Sequence, residues 1–288
     1  MTRLKKMMRL KRFNPMMIRF HIFSICVVFL FISTNLYHYL SMNRYYSSGH
    51  EKPLSKRLAV VETGRKSLCI LVRTYPKQRE SLKTLLAGWD AIGSRSPLRA
   101  IHVFVTNTDA SKPQNSQFIV ESIDEIRARH VSMHFVPHDI RPIQSLYGYD
   151  VTQFVLDGIR NDEQYNCGTY LFTNGDNYYH PEILQRTGLD GLTIPQAQLI
   201  AVDFVSHHGR GFWRERPNQV IRTQFKRRHI DLGSAFVDHY ALESCPEAGF
   251  HSREKDKENF ALDWYFFEAL LQCRTTTQLV NEVLFMHQ

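Results

Sequence analysis

From Ser67 onward, continuous apolar runs and helical stripes take turns along the chain. "SLCILVRT" is an unbroken apolar run that stops before Pro76, the pattern of a strand buried on both faces. "RESLKTLLAGWDAIG" then sets Leu82, Leu85, Leu86 and Trp89 at helical spacing on one face. "RAIHVFVTNTD" and "VSMHFVPHD" are two further short runs that end in polar residues. A helix is predicted from Val151, with Phe154, Val155, Leu156 and Ile159 as its buried stripe, and "GTYLFTNGDN" follows as a fourth strand. Later, "AQLIAVDFVSHH", "IDLGSAFVDHYAL" and "LVNEVLFMHQ" read as strands, and "ALDWYFFEALLQC" as an amphipathic helix before the last of them. Strands alternating with helices predict an α/β fold: a mainly parallel sheet with helices on both faces.

Ahead of this core the pattern is different. Residues 1–19 are basic, residues 20–40 contain only His21, Asn35 and His38 as strongly polar positions, and residues 41–66 are polar without sustained periodicity. About 20 apolar residues span a bilayer, and a one-sided Lys/Arg excess marks the cytoplasmic flank. The expectation is a cytoplasmic tail (1–19), a transmembrane signal anchor (20–40), a stem (41–66) and a lumenal domain (67–288). A cleaved signal peptide is the alternative. The same segment explains the net charge of +8. Residues 1–50 hold 8 of the 36 basic residues and no acid, so 28 basic residues face 28 acidic ones in the remainder. A neutral domain with a basic tail argues against a nucleic-acid partner. Cys69, Cys167, Cys245 and Cys273 lie beyond the apolar segment. In an oxidising compartment they form two disulfides by any of three pairings, with buried free thiols as the alternative.

In sheets of this class ligands bind beyond the carboxyl ends of the strands. The three clearest strands end there in "RTY", "TNTD" and "TNGDN", small groups rich in hydroxyl, amide and carboxylate oxygens. Asp176, flanked by Asn174 and Asn177, has the hard oxygen donors that suit Mg²⁺ or Mn²⁺. A plain Asn-Gly-Asp turn is the competing reading. The segment "GRGFWRERPNQ", with Trp213 among Arg210, Arg214 and Arg216, has the composition of a loop over a site or of a solvated basic loop.

The order of these pieces resembles the GT-A glycosyltransferases, nucleotide-sugar-dependent enzymes with a Rossmann-like fold, many of them type II membrane proteins of the Golgi or endoplasmic reticulum. The resemblance rests on "CILVRTY", "FTNGDNYYHPEIL", "DLGSAFVD", "LDWYFFEALL" and a terminal "FMHQ", and covers residues 67–288. It implies transfer of a sugar from a UDP-linked donor to a glycan or glycoprotein acceptor, with Mn²⁺ or Mg²⁺ as cofactor. It places Arg73, Thr74 and Tyr75 at the border of the nucleotide base and Asp109 on uracil or ribose. Asp150 would face the same pocket, although a helix N-cap is an equal reading. Asp176 and His287 would be the metal ligands. Asp263 would be the base that takes the acceptor proton in an inverting transfer, and Asp231 a second base or an acceptor contact. The family's motif has two acids where this chain has Asn174 and Asp176, so weaker metal binding, or none, is compatible with the sequence. Two rivals remain: an inactive lumenal binding or scaffold protein of the same fold, and a metal-dependent phosphoesterase.

Overall fold

Ser67–Thr74, the first apolar run, is a strand (β1) with all eight residues buried. This computed structural model describes residues 67–96, 99–109, 116–140, 148–191, 197–206, 219–250 and 262–287. Two strands flank β1 and run parallel to it: Ile101–Asn107 (β2) and Cys167–Asn174 (β4). Ser132–Phe135 (β3) extends the parallel half beyond β2. On the other side the direction changes. Ala235–Asp238 (β8) runs antiparallel to β4 and to Leu199–Ser206 (β6). Thr277–His287 (β9) lies parallel to β6, Tyr178–Tyr179 (β5) pairs antiparallel with β9, and Val220–Ile221 (β7) with β6. The order is β3-β2-β1-β4-β8-β6-β9-β5, with β7 beside β6.

The expectation of a mainly parallel sheet is therefore corrected to a mixed one. The segment "IDLGSAFVDHYAL" is the cause. Asp231 accepts the Gly233 N–H at 2.8 Å, and the Ser234 hydroxyl accepts the Asp231 N–H at 3.2 Å, which holds Leu232–Ser234 in a 3-10 turn. Asp238 then accepts the Tyr240 N–H at 2.8 Å and starts a helix, so the strand between the two caps is four residues long.

The helices are α1 (Arg79–Ser94), α2 (Gln117–Ile126), α3 (Tyr149–Arg160), α4 (Ile183–Arg186), α5 (His239–Ser244) and α6 (Leu262–Gln272). Alternate residues of the central strands (Cys69, Leu71, Phe104, Tyr170 and Phe172) share one core with Val155 and Ile159 of α3, Leu242 of α5, and Phe266 and Leu270 of α6. Leu68, Ile70 and Val72 point to the opposite face. The predicted stripe of α1 is buried in full, with Ile92 added. In α3 the stripe is Val151, Val155, Leu156 and Ile159, whereas Phe154 is exposed. It lies to the side of the i, i+4, i+8 line and meets the His138 ring edge-on at 6.4 Å.

Two disulfides select one of the three pairings. Cys69–Cys167 ties β1 to β4 with Cα atoms 5.6 Å apart, and Cys245–Cys273 ties the ends of α5 and α6 at 5.8 Å. Among the described residues no helix is long and apolar enough to cross a membrane. The expected tail, anchor and stem (1–66) and the Trp213 loop (207–218) lie outside the described residues.

Candidate active site

Parallel pairing brings the ends of β1, β2 and β4 to one edge: Arg73 lies opposite Asn174 and Thr106, and Thr74 opposite Asn107. The chain leaves β1 through Tyr75 and a 3-10 turn, Pro76–Gln78. It leaves β4 through Gly175, whose N–H donates to the Arg73 carbonyl at 2.8 Å. A Cβ at Gly175 would stand 2.5 Å from Thr74 Oγ1 and 2.8 Å from Thr74 Cβ, so only glycine permits this approach. Asp176 Oδ2 then accepts a 2.5 Å hydrogen bond from Gln78 Nε2. Asn177, fully buried, donates from Nδ2 to Thr173 Oγ1 at 3.0 Å. The Asn-Gly-Asp stretch is thus a turn, and it sits on the ligand-binding edge.

The last strand arrives at the same edge. β5 and β9 pair Tyr178 with Met286, so one further step along the ladder sets Asn177 level with His287. His287 Nδ1 is 3.2 Å from Ser206 Oγ, and its Nε2 is 3.8 Å from Asp231 Oδ2, too far for a hydrogen bond. Asp231 reaches this position because its other oxygen is held by the turn it caps.

Asp263, in the first turn of α6, accepts the Trp264 N–H at 2.8 Å. Burial is the main influence on its carboxyl and the negative charge of Asp231 the next; against the Trp264 N–H and the Arg73 cation, they push it up to about 7. Arg73 is almost wholly buried, with its guanidinium carbon 4.2 Å from the centroid of the Tyr149 ring. Tyr149 opens α3 directly after Gly148, which has φ +79°, and a Cβ at Gly148 would run into the Thr108 side chain. Burial first, and then the Asp263 charge, raises the Tyr149 hydroxyl; Arg73 pulls the other way.

The edge therefore gathers Arg73, Thr74, Asn174, Asp176, Asp231, Asp263 and His287. Tyr75 follows β1 but is exposed. Asp109 closes a turn in which its N–H donates to Asn107 Oδ1 at 2.9 Å. Asp150 accepts the Val151 N–H at 2.9 Å within the first turn of α3, where the N-cap is Gly148. Sequence reasoning passed over Tyr149 and Gln78. The Gly-Tyr pair before the helix was a usable signal for the first; the second had none beyond following Pro76. As for a metal, the described residues contain no group of three or more His, Cys, Asp or Glu side chains placed to hold one. Asp176 is engaged by Gln78 and His287 by Ser206 and Asp231, so the expected ligand pair is not a ready-made coordination set.

No protein-family model matches the chain, and no curated protein matches it. Solved structures do. Residues 1–349 of TarS from S. aureus superpose with a TM-score of 0.50 at 14% identity, over 77% of this chain and 60% of that one. The complex of that protein with UDP-GlcNAc gives 0.50 and 14%, over 76% and 58%. A mannosyltransferase from Pyrobaculum calidifontis, solved with GDP-Man and Mn²⁺, gives a lower 0.48 at 12% identity, over 91% and 67%. This chain thus spans about three fifths of the length of the TarS structure. The structural neighbours are GT-A-type glycosyltransferases, and at this identity what the chain shares with them is the fold.

Proposed function

We propose that this chain transfers a sugar from a nucleotide-sugar donor, UDP-linked, to a hydroxyl of a glycan or glycoprotein. The observation that carries the reading is Asp263: a carboxyl at the ligand-binding edge of a GT-A-type sheet, held near neutrality by burial and Asp231. A general base works best when its pKa lies close to the working pH. Ionised Asp263 takes the proton of the acceptor hydroxyl as that oxygen bonds to the anomeric carbon. The carbon–oxygen bond to the nucleoside diphosphate breaks and the diphosphate leaves with its electron pair, so the sugar inverts. Asp231 keeps the Asp263 proton affinity high and faces His287 across 3.8 Å. Asn174 and Asp176 border the donor phosphates. The Mn²⁺ or Mg²⁺ implied by the fold does not find its ligands pre-assembled among the described residues. Arg73, Asp231 and Asp263 are the groups this chain itself brings to the chemistry.

For location, we read residues 20–40 as the membrane anchor of a Golgi or endoplasmic-reticulum protein with residues 67–288 in the lumen. The one-sided basic flank and the two disulfides support that reading. The phosphoesterase reading needs acids gathered around Asp176, whose side chain instead meets Gln78.

The test is the melting temperature of the full chain with UDP, GDP and CDP, each with and without Mn²⁺. A ligand of the folded state raises it by mass action. A rise with UDP supports the reading, and no rise with any of the three under either condition sinks it. A rise without breakdown of any nucleotide-sugar points to the inactive binding protein.

A further inference from the structure

Two arginines sit at opposite ends of the central strands, Arg99 half-buried and Arg73 buried. Near the start of β4, Arg99 donates from Nη2 to Thr169 Oγ1 at 2.6 Å and lies in the field of Asp238 and Asp190. Its Nε has no hydrogen-bond partner among the described residues, but the two acids stand near its charge. Arg73, at the carboxyl end of β1, is 8% exposed, and its Nε and Nη1 have no hydrogen-bond partner among the described residues. It forms no ion pair with any of them. Asp231 and Asp263 belong to the same charged cluster, yet neither carboxylate closes on the guanidinium. A buried cation with no ion-pair partner and two unused donors is costly to the fold. The fold nevertheless fixes this one in place, with the Tyr149 ring on its face and Gly148, where a Cβ would strike Thr108, directly before that ring. At the same strand end, Thr74 Oγ1 and Gln78 Oε1 are also buried without a partner among the described residues.

We propose that Arg73 is the anion-holding group of this site and takes the diphosphate of the nucleotide donor, with Tyr149 as the clamp that keeps its guanidinium in place. This rests on the transferase reading, and it moves Arg73 from the base pocket to the phosphates. A pre-fixed guanidinium matches a phosphate better than an ammonium does, because its planar fork gives two parallel donors and loses little freedom on binding. It also places a positive charge beside the diphosphate as the sugar–phosphate bond breaks and negative charge builds on the leaving group. Three carboxylates share this edge, so such a cation offsets the repulsion that a diphosphate would otherwise meet.

The test compares affinities of the full chain for UDP and uridine, and for GDP and guanosine, by calorimetric titration with Mn²⁺ and with chelator. For Arg73→Met the expected result is a loss of about 10- to 100-fold for the diphosphate that binds wild type, with the matching nucleoside changed less than twofold. Tyr149→Leu leaves the cation but frees it, and is expected to give a smaller loss with the same selectivity. A single cooperative melting transition without ligand shows that each variant folds. Equal losses for nucleoside and diphosphate overturn the proposal in favour of base contact or a structural role, while the transferase reading stands. Undiminished diphosphate affinity in Arg73→Met overturns it as well. If wild type binds no nucleoside diphosphate in either condition, the proposal and the transferase reading fall together.

Discussion

In the seam between β6 and β9, Asp203 is almost fully buried and well supplied with donors. It takes 2.5 Å from Arg222 Nη1 and 2.8 Å from the Thr223 N–H, where the β6–β9 register shifts by a bulge. At the carboxyl edge, Asp263 accepts backbone N–H groups of its own first turn, which only weakly offset its burial, and has a like charge beside it. The first arrangement joins β7 to the sheet. The second disfavours the ionised form of Asp263 and leaves a carboxyl poised to exchange a proton. Both are acids in apolar surroundings, and the partners decide which is architecture and which is chemistry.

Removing each carboxylate tests that contrast. Asp263→Asn is expected to lower nucleotide-sugar turnover by roughly 10²–10⁴-fold, the usual weight of general-base catalysis, with nucleotide affinity little changed. Nucleoside diphosphate release by the purified chain measures this; an equal fall in affinity would make Asp263 a binding residue instead. Asp203→Asn is expected to do the opposite. It leaves the Arg222–Thr223 donors poorly matched, costs about 2–3 kcal/mol of stability in urea unfolding, and leaves turnover per folded molecule unchanged.

The sign of the pH effect sharpens the comparison further. Asp263 binds its proton more tightly when folded than an unfolded aspartate does. Its contribution to stability is fully present below about pH 4, declines as pH rises, and is gone above about pH 7. Asp263→Asn removes that decline, so at pH 8 the variant is expected to be more stable than wild type by roughly 2–4 kcal/mol, less where solvent reaches the carboxylate. At pH 4 the two should melt alike. A smaller effect is expected at the turn. Gly175→Ala forces a methyl against Thr74 and should cost about 1–3 kcal/mol, together with weakened nucleotide binding as Asp176 moves away from Gln78.

The elements legible in the sequence were those with a local pattern: the unbroken runs of β1, β2 and β4, the stripe of α1, and the late helix α6. α2 escaped because Glu121, Asp124 and Glu125 dilute a face whose buried members are only Phe118, Ile119 and Ser122. β5 and β7 are two residues each and owe their existence to β9 and β6. The order of β8 and β9 is likewise a product of long-range pairing. For that reason the sequence named Asp231, Asp263 and His287 separately, while the meeting of His287 with Asp231, 56 residues away, had no local trace. Arg73 was selected for its strand end; its burial and its missing partners emerge only once Tyr149 is packed over it.

The central claim is that Asp263 acts as the base of a sugar transfer, and the pH dependence of nucleotide-sugar turnover tests it most directly. Turnover by the full chain, read as nucleoside diphosphate release from UDP- and GDP-sugars between pH 5 and 9, is expected to rise about tenfold per pH unit at the acid end. It should level off above a midpoint near 7, where Asp263 has lost its proton. In Asp263→Asn that dependence should vanish along with most of the rate. A flat wild-type profile, a midpoint that survives in Asp263→Asn, or no release from any donor at any pH would contradict the account.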